Sequence, residues 1–171
     1  EYYALRWRGE WNAALGGVLL THAIHANDFL NLVHGPIAEV FAHGATLVND
    51  IETEDNMALS IRMANGSLAT SSMTLGSRQQ LSRLRFCFRD LVAESNTADY
   101  RFPADPWQFV TDDPAHQKRI DDALANYVPH REGYARQFEL FHATLTKGEP
   151  LPVTLIDARN ALELVTAAYC S

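Results

Sequence analysis

The chain has 171 residues, of which 47% are hydrophobic and 20% are charged, and this is the size and composition of one ordinary globular domain. Fourteen Lys and Arg against 21 Asp and Glu leave a net charge of −7. This balance argues against nucleic acid and against an anionic membrane surface as partners, because clustered basic side chains hold both. Two cysteines, Cys87 and Cys170, are too few for a disulfide framework and favour a reducing, cytoplasmic location.

The first 36 residues predict a short strand and then a helix. Residues 2–9 are aromatic and alternating, which is typical of a strand that ends at a glycine. A helical pattern runs from about Val18 to Val33, and His34-Gly35-Pro36 ends it in the expected order. There is no leader pattern and no clean apolar stretch of membrane length, so we expect neither a signal peptide nor a membrane span. The missing initiator Met and the abrupt end lead us to expect a segment of a longer protein.

Antiparallel strands are predicted between Ile37 and about Glu94, where apolar and small or polar side chains alternate. Asn65-Gly66 predicts a hairpin with a type I′ turn before a return strand over 67–75. The side chains expected to face the helices are Met57, Leu59, Ile61, Met63, Leu84, Phe86 and Phe88. The opposite face is expected to carry Ala58, Ser60, Thr70, Ser72 and Thr74, with arginines from the next strand. We expect a second copy to stack on this flat face, the alternative being a polar face in contact with water.

The rest of the chain predicts helices. Residues 98–130 are rich in Pro and Asp and read as a surface excursion with a short helix near 115–126. Helices are expected over about 132–146 and after Pro152, where Thr154 and Asp157 have the spacing of a capping box. The absence of βαβ alternation predicts one α+β domain over residues 1–171, with an open-faced, mainly antiparallel sheet covered by helices on one face.

The most informative stretch for chemistry follows Gly16-Gly17. On one continuous helix, Thr21, His25 and Asp28 fall on the same ridge, so a hydroxyl, an imidazole and a carboxylate point into the same space. An imidazole titrates near neutrality and a neighbouring carboxylate fixes its tautomer, which is what a general acid/base requires.

Three other interpretations of this stretch are open. His25 is a core histidine bonded to Asp28 in the first of them. In the second, His22, His25 and Asp28 bind a metal, although they spread too far around a helix to converge on one ion. A serine nucleophile is the third, and it lacks the G-x-S-x-G motif. No glycine-rich phosphate loop occurs, so we expect no cofactor-binding residue in this chain. Because there is also no Cys-x-x-Cys pair, we expect no metal site.

An ordered set of short motifs resembles the C-terminal domain of the glucose–fructose oxidoreductase / inositol dehydrogenase (Gfo/Idh/MocA) family. The resemblance runs through nearly the whole chain and is weakest over 98–130. The motifs are Trp7-Arg8-Gly9-Glu10-Trp11, Gly16-Gly17 through His25 and Asp28, Glu54-Asp55 before a strand, Asn65-Gly66, Pro152-Val153-Thr154, Asp157-Ala158-Arg159 and Tyr169-Cys170-Ser171.

The resemblance implies the fold and the site residues. In this family the histidine at the position of His25 acts as the acid/base beside the nicotinamide or positions the reacting hydroxyl, and the acidic residue at the position of Asp28 contacts substrate hydroxyls. Arg8 is implied near the substrate. Thr21 stands where many members have Asp or Asn, so it is expected to bind a substrate hydroxyl without carrying charge. The family's Lys, in a Glu-Lys-Pro motif, has no match in this chain.

The function that follows is the substrate-binding half of an NAD(P)-dependent oxidoreductase that acts on a sugar, a sugar derivative or a polyol. NAD or NADP is expected in the full-length protein, bound by a preceding Rossmann domain of the same polypeptide. A homodimer or tetramer is expected to form through the sheet face. The alternative is a non-catalytic α+β binding or oligomerisation module, and a full-length protein without a Rossmann segment would favour it.

Overall fold

The computed structural model describes residues 2–98, 106–131 and 133–171. They form two compact units, one built from the chain up to Ser77 together with Val153–Ser171, and the other from Arg78–Pro152. The prediction of a single domain over residues 1–171 stays a prediction. Part of the Pro- and Asp-rich segment, residues 99–105, lies outside the described residues.

The N-terminal segment is helical, and the predicted strand over residues 2–9 is wrong. Two short 3₁₀ helices span Tyr2–Ala4 and Arg6–Gly9, and α1 follows at Trp11–Ala14. Local bonds replace a strand ladder here: the Arg8 backbone N–H donates to the Leu5 carbonyl at 3.0 Å. Gly9 is buried against Ile51, where a Cβ would lie 2.5 Å from a side-chain carbon.

The predicted helix over 18–33 is present as two helices, α2 at Val18–Thr21 and α3 at Ile24–His34. The backbone N–H of Ala23 donates to the Val18 carbonyl at 2.9 Å, five residues back. This is the bond of a π-type turn, which adds one residue to the turn and rotates the following helix by about 100°. Gly35 ends α3 with a φ of +81°, as predicted.

The first unit is built on an antiparallel sheet of β1 (Ile37–Ala45), β2 (Asn56–Met63) and β3 (Leu68–Thr74), in that order. The hairpin after β2 is confirmed, but its turn is not type I′. Gly66 has a φ of +88° while Asn65 has a negative one. The loop therefore has three residues, 64–66, with Gly66 in the left-handed position that such loops require.

Helices cover one face of this sheet, as predicted. Alternate residues of β2 are buried, and they pack with α2 and with α6 (Leu155–Cys170). The buried cluster consists of Val18, Leu19, Met57, Leu59, Ile61, Met63, Val165 and Ala168. The opposite face is exposed and carries the expected small side chains, Ala58, Ser60, Thr70, Ser72 and Thr74.

The strand with Phe86 belongs to a different sheet from the one predicted. β4 (Arg85–Cys87), β5 (Val92–Glu94) and β6 (Gln108–Val110) form a second antiparallel sheet in the other unit. Phe86 is buried there, while Phe88 is exposed. Leu84, Phe86 and Phe88 therefore do not extend the apolar face of β2, and Arg83 and Arg85 pair with Glu94 instead of lining the open face.

The predicted helices of the C-terminal part are confirmed. α4 spans Pro114–Ala125, α5 spans Gly133–Lys147, and α6 begins with the predicted capping box between Thr154 and Asp157. The apolar stripe of α5 is exposed, and its members are Tyr134, Phe138, Phe141 and Leu145. In the described part of the chain, no helix combines the length and the hydropathy that a membrane span needs.

Candidate functional site

A buried carboxylate holds the beginning of α2. Glu54, only 6% exposed, accepts hydrogen bonds from the backbone N–H of Gly17 at 2.9 Å and of Leu19 at 3.0 Å. Its own carbonyl accepts from the N–H of Val18 at 2.9 Å. The Tyr169 hydroxyl, on α6, donates to the same carboxylate at 2.9 Å. Burial first, and then the nearby charge of Glu54, raise the pKa of Tyr169, so this phenol remains a donor at neutral pH.

This arrangement decides what the Gly16-Gly17 turn can bind. Free N–H groups at the beginning of a helix attract phosphate. Here the N–H groups of Gly17, Val18 and Leu19 all donate to Glu54, whose negative charge would repel a phosphate. The turn therefore binds the Glu54 carboxylate and does not provide a nucleotide-binding site.

Thr21 and His22 form a hydrogen-bonded pair at the end of α2. The Thr21 hydroxyl lies 2.7 Å from the Gly17 carbonyl oxygen and 2.8 Å from Nδ1 of His22. His22 is half-buried, and its ring meets the Tyr2 ring edge-on at a centroid distance of 4.6 Å. Burial, reinforced by the charge of Arg8, lowers the pKa of His22.

Arg8 belongs to the same neighbourhood. Its guanidinium donates to the Tyr2 carbonyl at 3.3 Å and lies 4.5 Å from the centre of the Tyr2 ring. The Trp7 ring is 5.5 Å away. Aromatic rings at these distances attract a guanidinium and fix its orientation. Arg8 is therefore a preorganised cation close to His22.

His25 and Asp28 lie on α3 and are both exposed. They are three residues apart, so they are neighbours on the helix surface. In the described part of the chain, no hydrogen bond joins His25 to Asp28 or to Thr21. The interpretation of His25 as a core histidine is wrong for this structure, because its side chain meets solvent.

The predicted constellation thus divides into two groups. Thr21 and Arg8 lie around His22, while His25 and Asp28 share the exposed surface of α3. The predicted ridge required one continuous helix, and this expectation is wrong: Thr21 ends α2, while His25 and Asp28 lie on α3 beyond the π-type turn at 22–23. Sequence reasoning weighed His22 only as a metal ligand and gave no role to Glu54 or Tyr169. No local spacing could have revealed the hydrogen bond between Tyr169 and Glu54, since 115 residues separate them.

A metal centre has no support in the geometry. Among residues 2–98, 106–131 and 133–171, no group of three or more His, Cys, Asp and Glu side chains is arranged to hold an ion. His22 contacts the hydroxyl of Thr21 and the ring of Tyr2.

A three-stranded antiparallel sheet covered by helices on one face gives the first unit an α+β fold. Residues 2–90 match the family model described as the GFO/IDH/MocA C-terminal domain. The chain belongs to this family. A comparison with curated protein sequences gave no match.

Solved structures share the fold. The WlbA dehydrogenase from Bordetella pertussis, in complex with NADH and UDP-GlcNAcA, is 24% identical with a TM-score of 0.79, and the match covers 99% of this chain and 48% of that one. UDP-N-acetylglucosamine 3-dehydrogenase GnnA from Acidithiobacillus ferrooxidans is 17% identical with a TM-score of 0.68, over 90% and 46%. An NAD binding oxidoreductase from Klebsiella pneumoniae is 12% identical with a TM-score of 0.76, over 96% and 50%. The chain therefore spans about half the length of these proteins.

Proposed function

We propose that this chain is the substrate-binding half of an NAD(P)-dependent oxidoreductase that acts on a sugar, a sugar derivative or a polyol. The reaction is a reversible hydride transfer between a carbinol carbon of the substrate and the nicotinamide. Family membership supports this proposal, as do the names of two similar structures, a dehydrogenase with bound NADH and UDP-GlcNAcA and a UDP-N-acetylglucosamine 3-dehydrogenase.

The nucleotide is held by a segment outside this chain, a preceding Rossmann domain of the full-length polypeptide. Two observations support this part of the proposal. The chain spans about half the length of its structural relatives. The N–H groups at the beginning of α2 already bind Glu54 and are not available to a phosphate. Both cysteines are free thiols, in keeping with a reducing, cytoplasmic location.

The exposure of His25 is the observation that carries the site assignment. A solvent-exposed imidazole on the helix of the family motif can accept the substrate hydroxyl proton when the carbinol is oxidised and return it in the reverse direction. Asp28, one turn further along, accepts hydrogen bonds from substrate hydroxyls. Arg8 contributes a cation whose orientation is fixed by the Tyr2 and Trp7 rings.

Replacing the imidazole tests this assignment. In the full-length protein, His25→Ala should lower kcat by roughly 10²–10⁴, the range expected for the loss of a general acid or base. His142→Ala is the matched control, because His142 is an exposed helical histidine in the other unit. Steady-state kinetics over a panel of sugars and nucleotide sugars measures both. A kcat for His25→Ala within a factor of three of the control would contradict the assignment.

The open face of the first sheet is the proposed assembly surface. Its small side chains make it flat, and Phe41, on the neighbouring strand β1, is 57% exposed there beside Ser60. A second copy stacking on this face across a two-fold axis would bury that ring and form a homodimer or part of a tetramer.

A further inference from the structure

The hydroxyl of Thr21 has two partners but a single proton. It lies 2.7 Å from the Gly17 carbonyl oxygen and 2.8 Å from Nδ1 of His22. A carbonyl oxygen only accepts, so the hydroxyl proton must lie between Thr21 and Gly17. Without it, two oxygens would face each other at 2.7 Å with no hydrogen between them.

The second contact then has one possible polarity. Because its proton is already donated to Gly17, the Thr21 oxygen accepts from His22, and Nδ1 must carry a hydrogen. In a neutral imidazole only one nitrogen is protonated, so the other one, Nε2, is the proton-accepting atom.

The surroundings of His22 favour the neutral ring. The half-buried imidazole packs edge-on against Tyr2, and Arg8 brings a positive charge nearby. Both effects disfavour imidazolium, burial more strongly, and they lower the pKa of His22.

We propose that Thr21 is a positioning residue, which holds His22 as the Nδ1–H tautomer and so makes Nε2 the nitrogen that accepts hydrogen bonds. Two lone pairs are present on a hydroxyl oxygen, and one of them still remains for a substrate hydroxyl. At this position, where the family resemblance implies Asp or Asn, Thr21 thus has a positioning role in this chain. The role of this tautomer in turnover rests on the proposed function; the tautomer itself does not.

Nitrogen NMR tests the tautomer without any substrate. In the full-length protein labelled with ¹⁵N-histidine, at a pH where His22 is neutral, we expect its Nδ1 to have the shift of a protonated nitrogen and Nε2 that of an unprotonated one. Thr21→Val keeps the side-chain shape but removes the acceptor, so the ring should move toward the Nε2–H form that free histidine prefers. Thr21→Ser should retain the Nδ1–H form. An Nε2–H ring in the unsubstituted protein, or an unchanged ring in Thr21→Val, would overturn the proposal.

Kinetics on the same variants tests the consequence for turnover. Thr21→Val should lower kcat by about 10-fold, because Nε2 of His22 would no longer be the nitrogen that accepts a hydrogen bond from the substrate, and one hydrogen bond contributes about this much. If Thr21→Val moves the tautomer but leaves kcat unchanged, the role in turnover is refuted. Absence of turnover in the unsubstituted protein would instead refute the proposed function, and the NMR result would still decide the tautomer.

Discussion

At the scale of single residues, the Asp55 side chain accepts more backbone hydrogen bonds than the side chain of any candidate site residue. Its fully buried carboxylate accepts hydrogen bonds from three successive backbone N–H groups of the loop after β1, those of Leu47, Val48 and Asn49, at 2.7–3.0 Å. Asp55→Asn would turn an amide group toward these donors. We expect it to reduce the free energy of unfolding by about 2 kcal/mol or more, because buried N–H groups lose a charged acceptor. Urea unfolding at pH 7 measures the loss.

The structure also predicts how the difference in free energy of unfolding between the unsubstituted protein and Asp55→Asn depends on pH. Burial alone would raise the pKa of Asp55, but hydrogen bonds from Leu47, Asn49 and Asn56 outweigh it and lower the pKa to about 2. A depressed pKa stabilises the fold above the ordinary value near 4 and loses this contribution as the pH falls toward 2. The gap between the unsubstituted protein and Asp55→Asn should therefore narrow from pH 5 to pH 2. Asp50→Asn, at an exposed position of the same loop, should change little at either pH.

At the scale of elements, the attachment of α2 to β2 depends on the absence of a side chain. A Cβ at Gly17 would lie 1.8 Å from the Glu54 carbonyl oxygen, a backbone atom that cannot rotate away. Gly17→Ala should therefore displace α2 and cost about 1–3 kcal/mol, as overpacking does. Gly44→Ala is the control, because its Cβ would meet the flexible end of the Met57 side chain at 2.9 Å and the Glu54 side chain at an ordinary contact distance of 3.8 Å. Thermal unfolding of both variants is the measurement. Equal unfolding midpoints for Gly17→Ala and Gly44→Ala would contradict the requirement for glycine at position 17.

Some of these elements could be predicted from the sequence, and others could not. The strand alternation of β2 and the end of α3 at Gly35 follow from local pattern, and both are confirmed. Residues 2–9 alternate like a strand, but they belong to neither of the two sheets in the described part of the chain and form local 3₁₀ bonds instead. The π-type turn after Thr21 leaves no mark in a periodic pattern of apolar residues. Residue type and position therefore predict candidate site residues, while the grouping of their side chains can be read only from the structure.

At the scale of the whole molecule, the open sheet face predicts an assembly that one substitution can abolish. Ser60 lies on this face in the middle of β2, where a long cation would separate two stacked sheets. Ser60→Arg should convert a dimer or tetramer of the full-length protein to smaller species. Ala64→Arg, exposed in the hairpin loop, should leave the mass unchanged. Light scattering at micromolar concentration distinguishes the two, and a monomeric unsubstituted protein would refute the assembly.

The hydrogen bonds around Glu54 also have a consequence for the order in which the protein folds. They join Gly17 to a residue 37 positions later, and Tyr169 donates across a further 115 positions. Contacts of such long sequence separation form late, because the ends of a long loop must first be brought together. During synthesis Tyr169, on α6, leaves the ribosome after all three strands of the first unit's sheet have emerged. The nascent chain can therefore pair its strands while the Glu54 carboxylate still lacks the hydrogen bond from Tyr169, and the attachment of α2 is completed only when the final helix docks.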